Sequence, residues 1–321
     1  MEYAGRKFVV TGGAGFIGSH MVDALVARGG KVTVIDDFST GLRDFVPKHP
    51  NVTLVEGDLL DAQLCMKAFA GHDFAFHFAA NADVRDGLKH PRKDVEQNTL
   101  VTHNVLEACR AHGIKDFAFS STGAIYGDTT VLPTPEDAPF PIQTSLYGAS
   151  KVACEGLITA YAFGYGFRVY IYRFVSMLGP RYTHGHVVDF YRQLLDHPDR
   201  LEVLGDGSQR KSYMHVSDCI AAMLTIVEKS RMPHDVHVYN LGHTGWISVK
   251  ESIALICKEL GLSPKLIFGG GDRGWVGDAP KILLDTTRLR ALGWKETLSV
   301  EESILDTLRF LKANPLTFRR A

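Results

Sequence analysis

Tyr147 and Lys151 stand four residues apart in Tyr-Gly-Ala-Ser-Lys, a spacing that puts both side chains on one face of a helix. A phenol with an ordinary pKa near ~10 is a poor base at neutral pH. A lysine ammonium beneath it favours the phenolate, as would a cationic hydride acceptor beside it. Such a tyrosine takes the proton of a hydroxyl while hydride leaves the same carbon. Thr122, in Ser-Ser-Thr-Gly-Ala, supplies a hydroxyl to steer the substrate oxygen, and Lys151 has the reach to hold the cofactor ribose. Thr122, Tyr147 and Lys151 are therefore the candidate catalytic residues. Tyr and Lys four apart recur by chance, so the pair gains weight only from what surrounds it.

A cradle for a dinucleotide lies upstream. Thr11-Gly-Gly-Ala-Gly-Phe-Ile-Gly18 follows an apolar run and opens an amphipathic one. Gly12 permits a tight turn, Gly15 lets backbone N–H groups approach a pyrophosphate, and Gly18 allows close helix–strand packing. Asp36, at the end of the next apolar run, is placed to accept hydrogen bonds from the adenosine ribose and to repel a 2′-phosphate, which makes NAD the expected cofactor. A solvated strand-end acid is the plainer alternative. Asp58 and Leu59, ending a third run, would frame the adenine or simply close a turn.

Bringing these residues together demands a particular scaffold. Apolar runs at 8–10, 32–35, 52–55, 74–78, 117–119 and 169–172 carry little polar alternation and read as buried parallel strands. Amphipathic stretches at 16–28, 61–70, 94–112 and 147–163 lie between them. The alternation predicts an α/β fold, a doubly wound parallel sheet of the Rossmann type. After about residue 174 come Gly-, Pro- and His-containing loops, with helices near 187–196, 217–229, 248–260 and 299–312. Ser248 with Glu251 and Ser299 with Glu302 form capping boxes at two of them. The expected division is an NAD-binding domain over 1–175, to which later segments return, and a smaller substrate-binding lobe over 176–321. A Pro-rich stretch at 133–141 reads as a rigid surface connection.

The composition limits the partners. Thirty-five Lys and Arg against 36 Asp and Glu give a net charge of −1, with no footing for nucleic acid or an anionic membrane. No apolar run approaches the ~20 residues of a membrane span. Five cysteines stand singly, against both a disulfide framework and a zinc site, and the cytoplasm is the expected location. His184 and His186 lack further ligands in sequence, so no metal is expected.

In chain order, TGGAGFIGSH, VIDDFSTG, EGDLLD, FHFAANADVR, EQNTLVTHNVLEA, SSTGAIYGD, YGASK, Arg173-Phe174, GDGSQ and HVSD resemble the extended short-chain dehydrogenase/reductase family, and within it the NAD-dependent epimerases and dehydratases around UDP-glucose 4-epimerase. The resemblance implies NAD contacts at Gly12, Gly15, Phe16, Ile17, Gly18, Asp36, Asp58, Leu59, Ala79, Asn98, Tyr147, Lys151 and Phe174, and substrate contacts at Asn81, Thr122 and Ser176. It implies reversible C4 epimerisation of a nucleotide-diphosphate sugar through a transient 4-keto sugar. It also implies a homodimer through helices 94–112 and 147–163, whose apolar faces would serve a single-chain core equally well. Dehydratases of the family carry an Asp-Glu pair after the hydroxyl residue; Gly123-Ala124 stands here and cannot move protons.

Other departures bear on the substrate. Ser176 replaces an Asn, Lys211-Ser212 replaces Arg-Asp, and the loop 179–186 replaces the usual segment. They predict a nucleotide pocket unlike the standard one for UDP. Arg210, Lys211 and Arg273 are candidates to neutralise the diphosphate, with ordinary surface charge as the alternative. Trp275 suits stacking on a base or packing between lobes. A net C4 dehydrogenase or reductase of a nucleotide-activated hexose or heptose, GDP-linked for example, is the second reading, told apart by whether turnover consumes reducing equivalents. A non-catalytic NAD-binding scaffold is a third, and the intact trio speaks against it.

Overall fold

The computed structural model describes residues 2–139, 142–275 and 278–314. Positions 140–141 of the Pro-rich stretch, 276–277 beside Trp275, and 315–321 of the C-terminal lobe lie outside the described residues. Apolar runs become strands β1 (Lys7–Thr11), β2 (Lys31–Asp36), β3 (Val52–Glu56), β4 (Phe74–His77), β5 (Asp116–Thr122) and β6 (Arg168–Phe174). Short strands follow: β7 (Ser176–Leu178), β8 (Arg200–Val203), β9 (Arg210–Lys211) and β10 (Tyr213–His215). Then come β11 (Val236–Leu241), β12 (Ile247–Ser248), β13 (Lys265–Phe268) and β14 (Lys281–Ile282).

Seven strands form one sheet in the order β11-β6-β5-β4-β1-β2-β3, and every pairing in it is parallel. Helices α1 (Phe16–Ala27), α2 (Ala62–Ala68), α3 (Pro91–Asp94), α4 (Val101–Ala111) and α5 (Leu146–Tyr165) connect the first six strands. A π-helical stretch, Val95–Leu100, joins α3 to α4. Side-chain alternation divides the core: Phe8 and Val10 face one layer with Met21 and Leu25 of α1, whereas Val9 faces the other with Val105 and Ile158.

The helices of the second half are α6 (His186–Asp196), α7 (Val216–Lys229), α8 (Val249–Leu260), α9 (Thr287–Arg290) and α10 (Val300–Ala313). Both capping boxes form, at the starts of α8 and α10. A third apolar cluster, including Val187, Phe190, Val203, Tyr213, Ile256 and Leu308, builds the C-terminal lobe. The chain also returns to the sheet: β11 pairs with β6, and Met223 of α7 packs in the same cluster as Phe8. Among the described residues no helix is long and apolar enough to cross a membrane.

Candidate active site

The sheet reverses its winding between β1 and β4, and a cavity of about 920 Å³ opens beside the ends of those strands, where doubly wound sheets bind their ligands. One wall is the turn between β1 and α1. Gly12 has φ +65°, and a Cβ there would stand 2.7 Å from the Ala79 backbone nitrogen. A Cβ on Gly18 would stand 2.1 Å from the Gly12 carbonyl oxygen, so only glycine lets α1 begin so close to the turn. Gly15 caps α1 without a side-chain bond, which leaves first-turn N–H groups for an anion. Gly12, Gly15, Phe16, Ile17 and Gly18 all line the cavity.

Asp36 ends β2 at the same wall. Its Oδ2 accepts from the Ala14 N–H and its Oδ1 from the Phe38 N–H, both at 2.9 Å. Burial pushes its carboxyl above the usual range, and the two N–H groups pull it part of the way back. Asp58, Leu59 and Ala79 complete this end of the lining. Room for a pyrophosphate against backbone, with a carboxylate one strand away, fits NAD. Asp36→Ala is expected to weaken NAD binding about tenfold or more, because hydrogen bonds to charged groups contribute roughly 1.5–3 kcal/mol. It should also relax the preference over NADP. Titration with both cofactors measures this, and an unchanged preference means that another group excludes the 2′-phosphate. Since the Asp36 carboxyl is raised, wild-type discrimination should weaken on acidification earlier than an exposed aspartate would allow.

Local chemistry places the trio. Ser145 caps α5, its Oγ accepting from the Gly148 N–H at 3.0 Å, so Tyr147 falls in the first turn. A Cβ on Gly148 would stand 3.0 Å from the Ala124 carbonyl oxygen; the helix therefore passes close by the turn that follows β5. Tyr147 and Thr122 thereby line the same stretch of the cavity, near enough for the Thr122 hydroxyl to favour the phenolate. Thr122 Oγ1 accepts from the Ala124 N–H at 3.1 Å, which leaves its hydrogen for another partner. One helical turn on, the buried Lys151 Nζ donates to the Ser120 carbonyl at 2.9 Å and lies 5.9 Å from the Tyr147 ring centroid.

The electrostatics depart from the expectation of a lowered phenol. Burial pushes Tyr147 up to about 12, partly offset by the Thr122 hydroxyl, and the Asp94 carboxylate adds to the rise. Burial also brings Lys151 down to about 8. Desolvation outweighs the nearby charges, so the protein alone holds Tyr147 as a neutral phenol.

Phe174 and Ser176 line the cavity where the lobes meet, and so does Asn81. Asn98, in the π-helical stretch, stands behind the lining. Its Oδ1 accepts from the Asn81 N–H at 2.8 Å and its Nδ2 donates to Ser150 Oγ at 2.9 Å, so it joins the loop after β4 to α5. Of the three cations expected at the diphosphate, the structure brings only Lys211 to the cavity. Successive side chains of β9 point oppositely, and Arg210 turns away to lie 4.8 Å from the Trp246 ring centroid. Arg273 forks onto Asp128 at 3.1 and 3.0 Å and donates to the Asp278 carbonyl at 2.7 Å. Lys211 itself pairs with Asp278 at 2.5 Å.

Sequence reasoning missed two cations of the lining, Lys93 and Arg85; Arg85 lies 6.0 Å from the Trp275 ring centroid and pairs with Asp83 and Asp189 at 3.5 and 3.7 Å. The only signal for Arg85 was membership of the FHFAANADVR segment. His184 and His186 also line the cavity. His186 shares a hydrogen bond of 2.9 Å with Ser252 Oγ, and burial pulls it down to about 3, so it is neutral.

Residues 8–242 match the model of the NAD dependent epimerase/dehydratase family. The UDP-glucose 4-epimerase of Azospirillum brasilense is 32% identical over 310 residues, covering 91% of this chain and 87% of that protein. The crystal structure of the UDP-glucose 4-epimerase of Thermotoga maritima with UDP-glucose superimposes with a TM-score of 0.88 at 31% identity, over 96% of this chain and 99% of that one. The UDP-glucuronic acid 4-epimerase of Bacillus cereus, in complex with UDP-glucuronic acid and NAD, gives a TM-score of 0.87 at 25% identity, over 96% and 99%. The glycine turn, the NAD-shaped wall and these likenesses agree: the chain belongs to the NAD dependent epimerase/dehydratase family and is an NAD-dependent nucleotide-sugar epimerase of the short-chain dehydrogenase/reductase type.

Proposed function

We propose that the protein interconverts the C4 epimers of a UDP-linked sugar through a transient 4-keto sugar. The observation that carries this reading is Tyr147 beside Thr122 with Lys151 beneath, in a cavity that runs from the glycine turn to Lys211 of the C-terminal lobe. NAD, when bound, accepts the C4 hydride, returns it, and sets a positive charge beside the phenol. Thr122 orients the C4 oxygen, Tyr147 takes and returns its proton, and Lys151 steadies the cofactor ribose. Gly12, Gly15, Phe16, Ile17, Gly18, Asp36, Asp58, Leu59, Ala79 and Phe174 would hold NAD, with Asn98 as a prop behind them. Asn81 and Ser176 would meet the sugar, and Lys211 and Arg85 the diphosphate. Elimination is disfavoured by Gly123-Ala124, which offers no acid or base.

The uridine nucleotide is supported by the relatives, which act on UDP-glucose or UDP-glucuronic acid. In this reading residues 1–175, joined by α7 and β11, bind NAD, and the rest of 176–321 binds substrate. The reading extends to a homodimer, supported by Val95 and Leu100 beside α4 and Phe163 on α5, apolar side chains 50%, 45% and 67% exposed. The test is incubation with UDP-glucose, UDP-glucuronic acid and GDP- and dTDP-linked sugars, with products followed by NMR. C4 epimers of a UDP-sugar should approach equilibrium without added or consumed reducing equivalents. Stoichiometric accumulation of NADH would instead identify a net C4 dehydrogenase.

A further inference from the structure

Among the described residues that line the cavity, two carry a buried polar atom without a hydrogen-bond partner: the Gln209 amide oxygen and the Trp275 indole N–H. Gln209 is 3% exposed. Its Nε2 donates to the Leu204 carbonyl at 3.3 Å, which orients the amide, because a flip would set two oxygens against each other. Gly205, with φ +75°, makes room for that amide: a Cβ there would stand 1.9 Å from Gln209 Nε2. Oε1 is thus an acceptor held in place with no donor, and such a group is costly to bury.

Gln209 stands just before β9, two residues from Lys211, and both line the cavity, about 7 Å apart along the chain. Trp275 stands next to Lys211, whose Nζ is 4.8 Å from the indole ring centroid. Phosphate oxygens offer no donor at neutral pH, so a diphosphate at Lys211 satisfies the indole N–H and leaves Oε1 empty. One strand step further, the available donors belong to the nucleoside. Phe190, Leu204 and Trp275 line this end, and such flat apolar surface suits a base more than a ribose.

We propose that Gln209 determines nucleotide specificity, its Oε1 accepting a hydrogen bond from the ring N–H of uracil, while the Trp275 N–H donates to the diphosphate. The proposal rests on the UDP-sugar reading above. Cytosine carries an unprotonated nitrogen at the corresponding ring position, which would meet Oε1 lone pair to lone pair.

The test is calorimetric binding of UDP and CDP to the NAD-loaded protein. Wild type should prefer UDP tenfold or more. Gln209→Met should weaken UDP about tenfold, leave CDP within about twofold, and leave NAD retention unchanged. Trp275→Phe should weaken both nucleotides alike. Equal losses of UDP and CDP in Gln209→Met, or no loss, overturn the proposal. Should that variant fold poorly, wild type with N3-methyl-UDP replaces it: binding about tenfold weaker than UDP is expected, and equal binding overturns the proposal. Absence of UDP binding by wild type overturns the UDP reading, and the proposal falls with it; UDP binding with an unaltered preference in Gln209→Met overturns the proposal alone.

Discussion

Tyr147→Phe should lower turnover by about 10²–10⁴-fold, the usual contribution of a positioned acid–base group, and leave NAD retention nearly intact. Tyr147 lines the cavity with Thr122 from α5 and the end of β5, whereas the glycine turn and Asp36 that would hold the cofactor stand at the ends of β1 and β2. Removing one oxygen therefore strips the proton acceptor without opening the cradle. Burial holds the phenol up to about 12 in the protein alone, so the fraction ionised grows as the pH rises toward that value. Wild-type kcat/KM should accordingly climb on the alkaline side, and the climb should vanish in Tyr147→Phe. Lys151→Ala should differ by harming both turnover and NAD retention. Stopped assays across pH, with bound cofactor released and quantified, measure all three quantities. Near-wild-type turnover in Tyr147→Phe would show that the C4 proton goes elsewhere.

Much of this arrangement is legible in the residues, and the parts that are not share a cause. Strands β1, β2, β4, β5 and β6 stand out because strands buried on both faces carry no polar alternation, whereas β3, read as buried from its apolar run, is an edge strand with no residue fully buried. β11 escapes notice because its run contains His237 and Asn240, buried polar groups whose partners lie elsewhere in the chain: Ser230 for the first, Tyr126 and Thr134 for the second. Strands of two to four residues such as β8, β9 and β14 carry too little pattern to read, and tertiary pairing decides them. The π-helical stretch around Asn98 is likewise silent in a 3.6-residue period.

The site divides in the same way. Glycine turn, Asp36 and the Tyr147–Lys151 spacing are local features, and the fold brings them to one cavity. Which of Arg210 and Lys211 faces the cavity depends on strand orientation, which adjacent cations do not reveal. Arg273 is engaged by Asp128, 145 positions away, a partnership invisible in either neighbourhood. The nucleotide end is therefore the part where side chains alone mislead.

Glu155→Ala should destabilise the fold by about 3–5 kcal/mol, the usual result of stranding one partner of a buried ion pair. The pair is Glu155 of α5 with Arg173 of β6, whose side chains are only 7% and 5% exposed. Arg173 reaches the carboxylate through two nitrogens, at 3.1 and 2.8 Å, and donates further to the Tyr126 hydroxyl at 2.8 Å and the Glu136 carbonyl at 2.7 Å. Ser121 donates to the same carboxylate. Every one of these bonds is charge-assisted, and truncation at 155 takes the bidentate carboxylate away from a guanidinium in a dry interior. Arg173→Met should cost a similar amount by stranding the carboxylate. The double variant should cost clearly less than the two together, because each single change already forfeits the shared interaction. Activity should fall as well: Glu155 lies one turn beyond Lys151 and Ser121 adjoins Thr122, so the pair anchors the two elements that bring the trio together. Thermal midpoints at a fixed NAD concentration, combined in a double-mutant cycle, measure the coupling. Single variants within about 1 kcal/mol of wild type, or strictly additive losses, would mean that water enters to solvate the lone charge and that the pair does not hold α5 against the sheet.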